Sequence, residues 1–138
     1  MRRSLAAGAL LGAVIAVAGC GGIKAPDLFI VQRSGSGAHA RLTLLVNEEG
    51  GVHCNGRDAG KVSDPQIIVA REIQEELHDP AAEHLTLPAK PGSVFTYNVR
   101  DVDGTVRFSD NSARQPKVLR QLELFVLQTA QQVCKLPE

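Results

Sequence analysis

The chain has 138 residues, enough for one domain and too few for two, and its fifteen basic and fifteen acidic side chains give a formal net charge of zero. That balance excludes the strongly basic face that nucleic-acid binding selects for. With four Phe, one Tyr and no Trp, the surface also lacks the stacking platforms that hold bases, sugars or flavins.

Arg2 and Arg3 precede an apolar run from Leu5 to Ala18. The run is too short for a spanning helix, which takes about 20 apolar residues, and suits a secretory h-region of roughly 7 to 15. It ends in Val17-Ala18-Gly19-Cys20, two small residues before a thiol. This stretch resembles the lipobox of bacterial lipoproteins, and the domain behind it is similar to lipoproteins of high-GC bacteria, a likeness that implies no activity. The resemblance implies that residues 1–19 are a removed signal peptide and that Cys20 carries acyl chains. Each buried methylene contributes about 0.8 kcal/mol, so two or three chains anchor a protein essentially permanently. The expected address is therefore the outer face of the cytoplasmic membrane. Arg2-Arg3-Ser4-Leu5 lacks the rest of a twin-arginine signal, which leaves the general secretory route. Without Arg2 and Arg3, thirteen basic residues face fifteen acidic ones, and no polybasic cluster adds a second grip on lipid.

If Cys20 is lipidated, Cys54 and Cys134 remain as a pair in an oxidising compartment, where two thiols of a small exported domain form a disulfide. Closing a loop of about 80 residues stabilises by roughly 4 to 5 kcal/mol in the chain-entropy model. The rival reading, a metal or redox site, lacks C-x-x-C spacing, and alternation along a strand turns His53 to the opposite face from Cys54.

Residues 20–26 read as the lipidated terminus and a short tether, and 27–138 as a single α+β domain. Asp27 to Arg33 predicts a strand, broken by Ser34-Gly35-Ser36-Gly37. Arg41 to Asn47 and Gly51 to Asn55 predict two more, with Leu45 opposite Cys54. A turn follows at Asn55-Gly56-Arg57-Asp58. Asp64-Pro65 then starts a helix that buries Gln66, Val69, Ala70, Ile73 and Leu77 and ends at Asp79-Pro80. After a proline-bearing connector, Val94 to Arg100 and Thr105 to Ser109 predict a hairpin with Asp103-Gly104 as a two-residue turn. Phe95, Tyr97, Val99, Val106 and Phe108 fall on its inner face; Thr96, Asn98, Arg100, Arg107 and Ser109 fall on the wetted one. Pro116 opens a last helix to about Cys134, with Val118, Leu119, Leu122, Phe125, Val126, Thr129 and Val133 inward. The order β-β-β-α-β-β-α predicts an antiparallel sheet of about five strands with both helices on one face and one disulfide. Regular helical spacing puts Cys134 off the apolar stripe, so the last turn is expected to rotate or fray.

The candidate chemistry is sparse. His39, His53, His78 and His84 are scattered without metal-motif spacing, and no cofactor or metal is expected. Asp101, Asp103 and Gly104 carry a faint calcium-loop pattern, but Val99 stands at the first ligand position and strands flank the loop, so a plain turn is the better reading. Ser34-Gly35-Ser36-Gly37 has no following helix and no organised Ser, His and acid series, which leaves a flexible loop. Glu72, Glu75 and Glu76 are read as solvated carboxylates. With Asp79 and Glu83 they form an acidic stretch, whereas Arg107, Arg114, Lys117 and Arg120 form a basic one that can steer a protein partner. Leu124 and Leu127 fall outward on the last helix and mark a contact patch with Arg114, Lys117 and Arg120.

Gln32-Arg33-Ser34-Gly35 running into a loop with Ala38, then Phe95-Thr96-Tyr97-Asn98-Val99, Asp103-Gly104 and a C-terminal helix with leucines resemble the emfourin family of metallopeptidase inhibitors. The resemblance implies a small domain whose loops block a thermolysin-like active site. The anchor, the longer first hairpin with Cys54 and its partner Cys134 depart from that pattern, and no inhibitory residue transfers by position. The functional expectation is a non-catalytic, lipid-anchored binding domain, with a peptidase inhibitor as the alternative. A small hydrolase would need a deep pocket of convergent titratable groups.

Overall fold

A computed structural model describes residues 26–137. The expected signal peptide, Cys20 and most of the expected tether lie outside the described residues. The strands are β1 (Asp27–Gly35), β2 (Leu42–Asn47), β3 (Gly51–Cys54), β4 (Arg57–Lys61), β5 (Phe95–Arg100) and β6 (Thr105–Ser109). The helices are α1 (Asp64–Ala82) and α2 (Lys117–Gln132). All strand pairs are antiparallel, in the order β4-β3-β2-β1-β5-β6. The α+β class and the disulfide therefore stand, with six strands in place of five.

The sixth strand is β4, where a turn was expected. Asn55 and Gly56 both take positive φ, at 52° and 80°, and make a two-residue hairpin that sends Arg57–Lys61 back along β3. Its sequence, RDAGK, carries no β-branched or aromatic residue, so propensity gave no sign of it. It is an edge strand, and its charges protect an open ladder. The opposite edge is covered: Leu85 and Leu87 exchange backbone hydrogen bonds with Arg107 beside β6.

Period-two alternation governs the sheet. Val31, Leu44, Val46, Val52, Val99, Val106 and Phe108 point to one side and form a single core with Ile73 and Leu77 of α1 and Leu119, Leu122, Phe125 and Val126 of α2. Phe29 meets Phe125 edge to face at 5.9 Å, and Tyr97 stacks on Phe108 at 4.9 Å.

Several local expectations are corrected. Cys54 pairs with Leu44, and Leu45 with His53, because a tight turn closed by Gly50 N–H to Asn47 O sets Val46 opposite Val52. Ser63, not Asp64, precedes α1: its N–H and its hydroxyl both donate to Gln66 Oε1. The helix also runs past Pro80 to Ala82. A proline in the last turn removes only one helical donor, and Ala81 is buried against the core.

The β5–β6 connection is a four-residue loop, not a two-residue turn. Asp101 Oδ1 accepts the N–H groups of Asp103 and Gly104, which fixes the longer loop, and Asp103 lies 3.0 Å from His78. Ser109 is buried rather than wetted, since its hydroxyl bonds Phe95 O and Asp110 Oδ1.

The helix end that fitted poorly does rotate. Cys134 N–H bonds Thr129 O, one residue further back than a regular turn, and Lys135 turns left-handed as Leu136 N–H reaches Ala130 O. The widened turn lets Cys134 bond Cys54, with Cα atoms 5.8 Å apart and 80 residues between them. Replacing both cysteines by serine is expected to lower unfolding stability by about 2 to 4 kcal/mol, read as a fall in the urea midpoint of the non-reduced protein.

Candidate functional site

A groove of about 220 Å³ with mainly apolar walls lies between the β1–β2 loop, the start of β5 and the C-terminal end of α2. Those walls include Ala38, Ala40, Val94, Phe95, Leu127 and Leu136. Leu127 is 44% exposed and Val94 50%.

Arg33 lies in this groove. Alternation along β1 turns it inward after Phe29 and Val31, and only 6% of it remains exposed. Its guanidinium lies 4.7 Å from the centre of the Phe95 ring. Nε donates to Ala40 O at 2.9 Å and Nη2 to His39 O at 3.0 Å, so the same side chain holds the loop closed. Desolvation pulls the Arg33 pKa below its ordinary value, with Tyr97 opposing the shift. No carboxylate among the described residues pairs with it. The expected flexible loop at Ser34–Gly37 is thus a strand end, Ser34-Gly35, followed by a pinned turn in which Ala40 N–H also bonds Gly37 O.

One turn before Leu127, Glu123 sits beside a polar knot at the start of β5. Asp110 accepts the Val94 N–H and the hydroxyls of Ser93 and Ser109, and those two hydroxyls also meet each other. Burial alone would raise the Asp110 pKa; the hydrogen bonds outweigh it and hold the carboxyl below its usual range. Glu123 goes the other way: burial, then the charge of Asp110, pushes it up to about 7, against Arg120 and Gln115.

Of the expected contact patch, Leu127 forms part of the groove. Leu124 is 54% exposed outside it, and Arg114, Lys117 and Arg120 are exposed near the start of α2 without lining it. The basic stretch is divided: Arg107 lies on the helix-free face of the sheet, beside Arg100, Gln32 and Asn98. The acidic stretch does form one exposed face of α1. Asp101, Asp103 and Gly104 form the hydrogen-bonded turn described above, and no cluster of three metal-ligating side chains occurs among the described residues. No described helix is long and apolar enough to cross a membrane.

Sequence reasoning missed Arg33 and Glu123. A signal for Arg33 was present, since an inward parity shared with Phe29 and Val31 places a cation under the helix layer. Nothing local marked Glu123, whose shift comes from burial in the folded domain and then from Asp110, just past the end of β6.

The comparisons with known proteins add no relative: no family model, curated protein or solved structure matches the chain.

The folded state keeps a proton on Glu123 that the unfolded chain releases, so ν_N exceeds ν_U between pH 4.5 and about 7. The Glu123 contribution to stability is expected to be full below that window, to fall across it and to level off above it. Glu123→Gln should flatten the fall, as read from urea midpoints at pH 5, 6, 7 and 8. His78, raised by its hydrogen bond to Asp103, adds a separate loss as pH climbs above 6.5, common to both proteins.

Proposed function

We propose that this chain is a lipid-anchored, extracytoplasmic binding domain that is not a catalyst and presents the Arg33–Leu127 groove to a protein partner. The lipobox-like Val17-Ala18-Gly19-Cys20 supports the anchor, and the groove supports the binding role. Its chemistry suits contact: apolar walls, one buried cation and no base or nucleophile beside it among the described lining residues other than His39. The orientation is favourable. The tether enters β1 at Asp27, whereas the groove lies beyond Gly35, at the other end of a nine-residue strand that spans roughly 30 Å. A domain held by residues 20–26 would carry its groove away from the lipid.

One observation favours the emfourin-like reading as a second possibility. The two strings that carry the resemblance lie on adjacent strands, with Arg33 opposite Tyr97 and Gly35 opposite Phe95, and both reach the groove. Inhibition of a secreted thermolysin-like peptidase by micromolar protein is the expected result under that reading; unchanged hydrolysis removes it.

For the main reading, cells fed an alkyne-bearing fatty acid should label the wild-type protein, and Cys20→Ser should abolish the label and release protein from the membrane fraction. A photo-crosslinking side chain at position 127 should capture a defined partner that the same group at Ile68, 59% exposed on α1, does not. An unlabelled Cys20, or identical capture from both positions, would count against the anchor and the groove respectively.

A further inference from the structure

We infer that the groove captures the C-terminal residue of a partner protein, its free carboxylate on Arg33 and its apolar side chain against Leu127 and Val94. This deepens the binding-domain reading and rests on it.

The starting point is the imbalance around Arg33. Arg33 keeps only 6% of its surface exposed, and a cation drawn out of water in this way needs compensation. Two carbonyls and the Phe95 ring supply part of it, through Nε, Nη2 and one face of the plane. No hydrogen bond to a described residue uses Nη1, and no carboxylate among the described residues supplies the counter-charge. An incoming carboxylate would meet an open donor in an apolar surround, where a charge-assisted hydrogen bond is strongest.

Volume selects among carboxylates. About 220 Å³ is below the range of roughly 300 to 1,000 Å³ usual for sites that enclose a whole small molecule, and suits one residue of a longer chain. A C-terminal residue carries its carboxylate and its side chain on one Cα, so a single residue can satisfy both the floor and the rim. An internal acidic residue would need room for the chain to enter and leave. Capture of a terminal carboxylate is an established mode of peptide recognition.

The test uses the full-length chain as isolated from cells, held in nanodiscs. The probes are a five-residue alanine peptide ending in leucine with a free carboxylate, the same peptide amidated, and decanoate as the lipid counterpart. Amidation should weaken binding tenfold or more, since it removes one hydrogen bond to a charged group. Arg33→Met should abolish the preference for acid over amide while leaving weak apolar binding, and Leu127→Asp should weaken both peptides. Arg33 also holds the loop, so a measurement without substitution stands beside these: the acid peptide should move the Arg33 Nε–Hε resonance and the amides of residues 37–40, and the amidated peptide should not.

Equal affinity for acid and amide, no shift at Arg33, or binding of decanoate with no binding of the acid peptide would each overturn the inference. None of these outcomes touches the broader reading, which falls instead if the groove crosslinks no partner in cells.

Discussion

The edge-to-face contact of Phe29 with Phe125 holds the last helix over the middle of the sheet, and the placement of everything near the groove follows from it. Phe29 belongs to β1, an interior strand paired on both sides, and Phe125 lies near the middle of α2. With that pair fixed, the two turns after Phe125 must extend toward the far end of β1 and β5. There Leu127 and Ala130 come to face Phe95 and the loop that follows β1. The groove is thus the gap left where a helix outruns the strands beneath it. Arg33 fills part of that gap from below because its inward parity leaves it no other place.

Much of the fold was legible because burial on one side of a sheet writes a period-two code. Leu42, Leu44 and Val46, or Tyr97 and Val99, declare their strands and the face they bury. The amphipathic helices were equally plain. What escaped reading was decided elsewhere in the chain. β4 exists because two residues accept positive φ, not because its own residues favour extension. α1 passes Pro80 because Ala81 has a core to join, a tertiary gain that outweighs a local penalty. The β5–β6 loop lengthens because one aspartate satisfies two backbone donors.

The site was read less well than the fold, for the same reason. Leu127 could be picked out as an apolar residue on a polar helical surface, but the sequence could not separate it from Leu124, which has the same character and lies outside this groove. The basic residues were grouped by nearness in the chain, whereas a sheet sends Arg107 to one face and the residues that open α2 to the other. Arg33 and Phe95 are sixty-two residues apart and became neighbours only through the pairing of β1 with β5.

The Cys54–Cys134 bond has a consequence beyond stability. Cys134 is followed at once by the left-handed Lys135 and by Leu136, which closes one side of the groove, so that wall is held by a covalent link to the β3–β4 hairpin. In a chain still holding two thiols, the same wall would rely on a frayed helix terminus and a few backbone hydrogen bonds. Oxidation of that pair therefore doubles as an assembly step: this wall of the groove is finished only once the two sulfurs have joined.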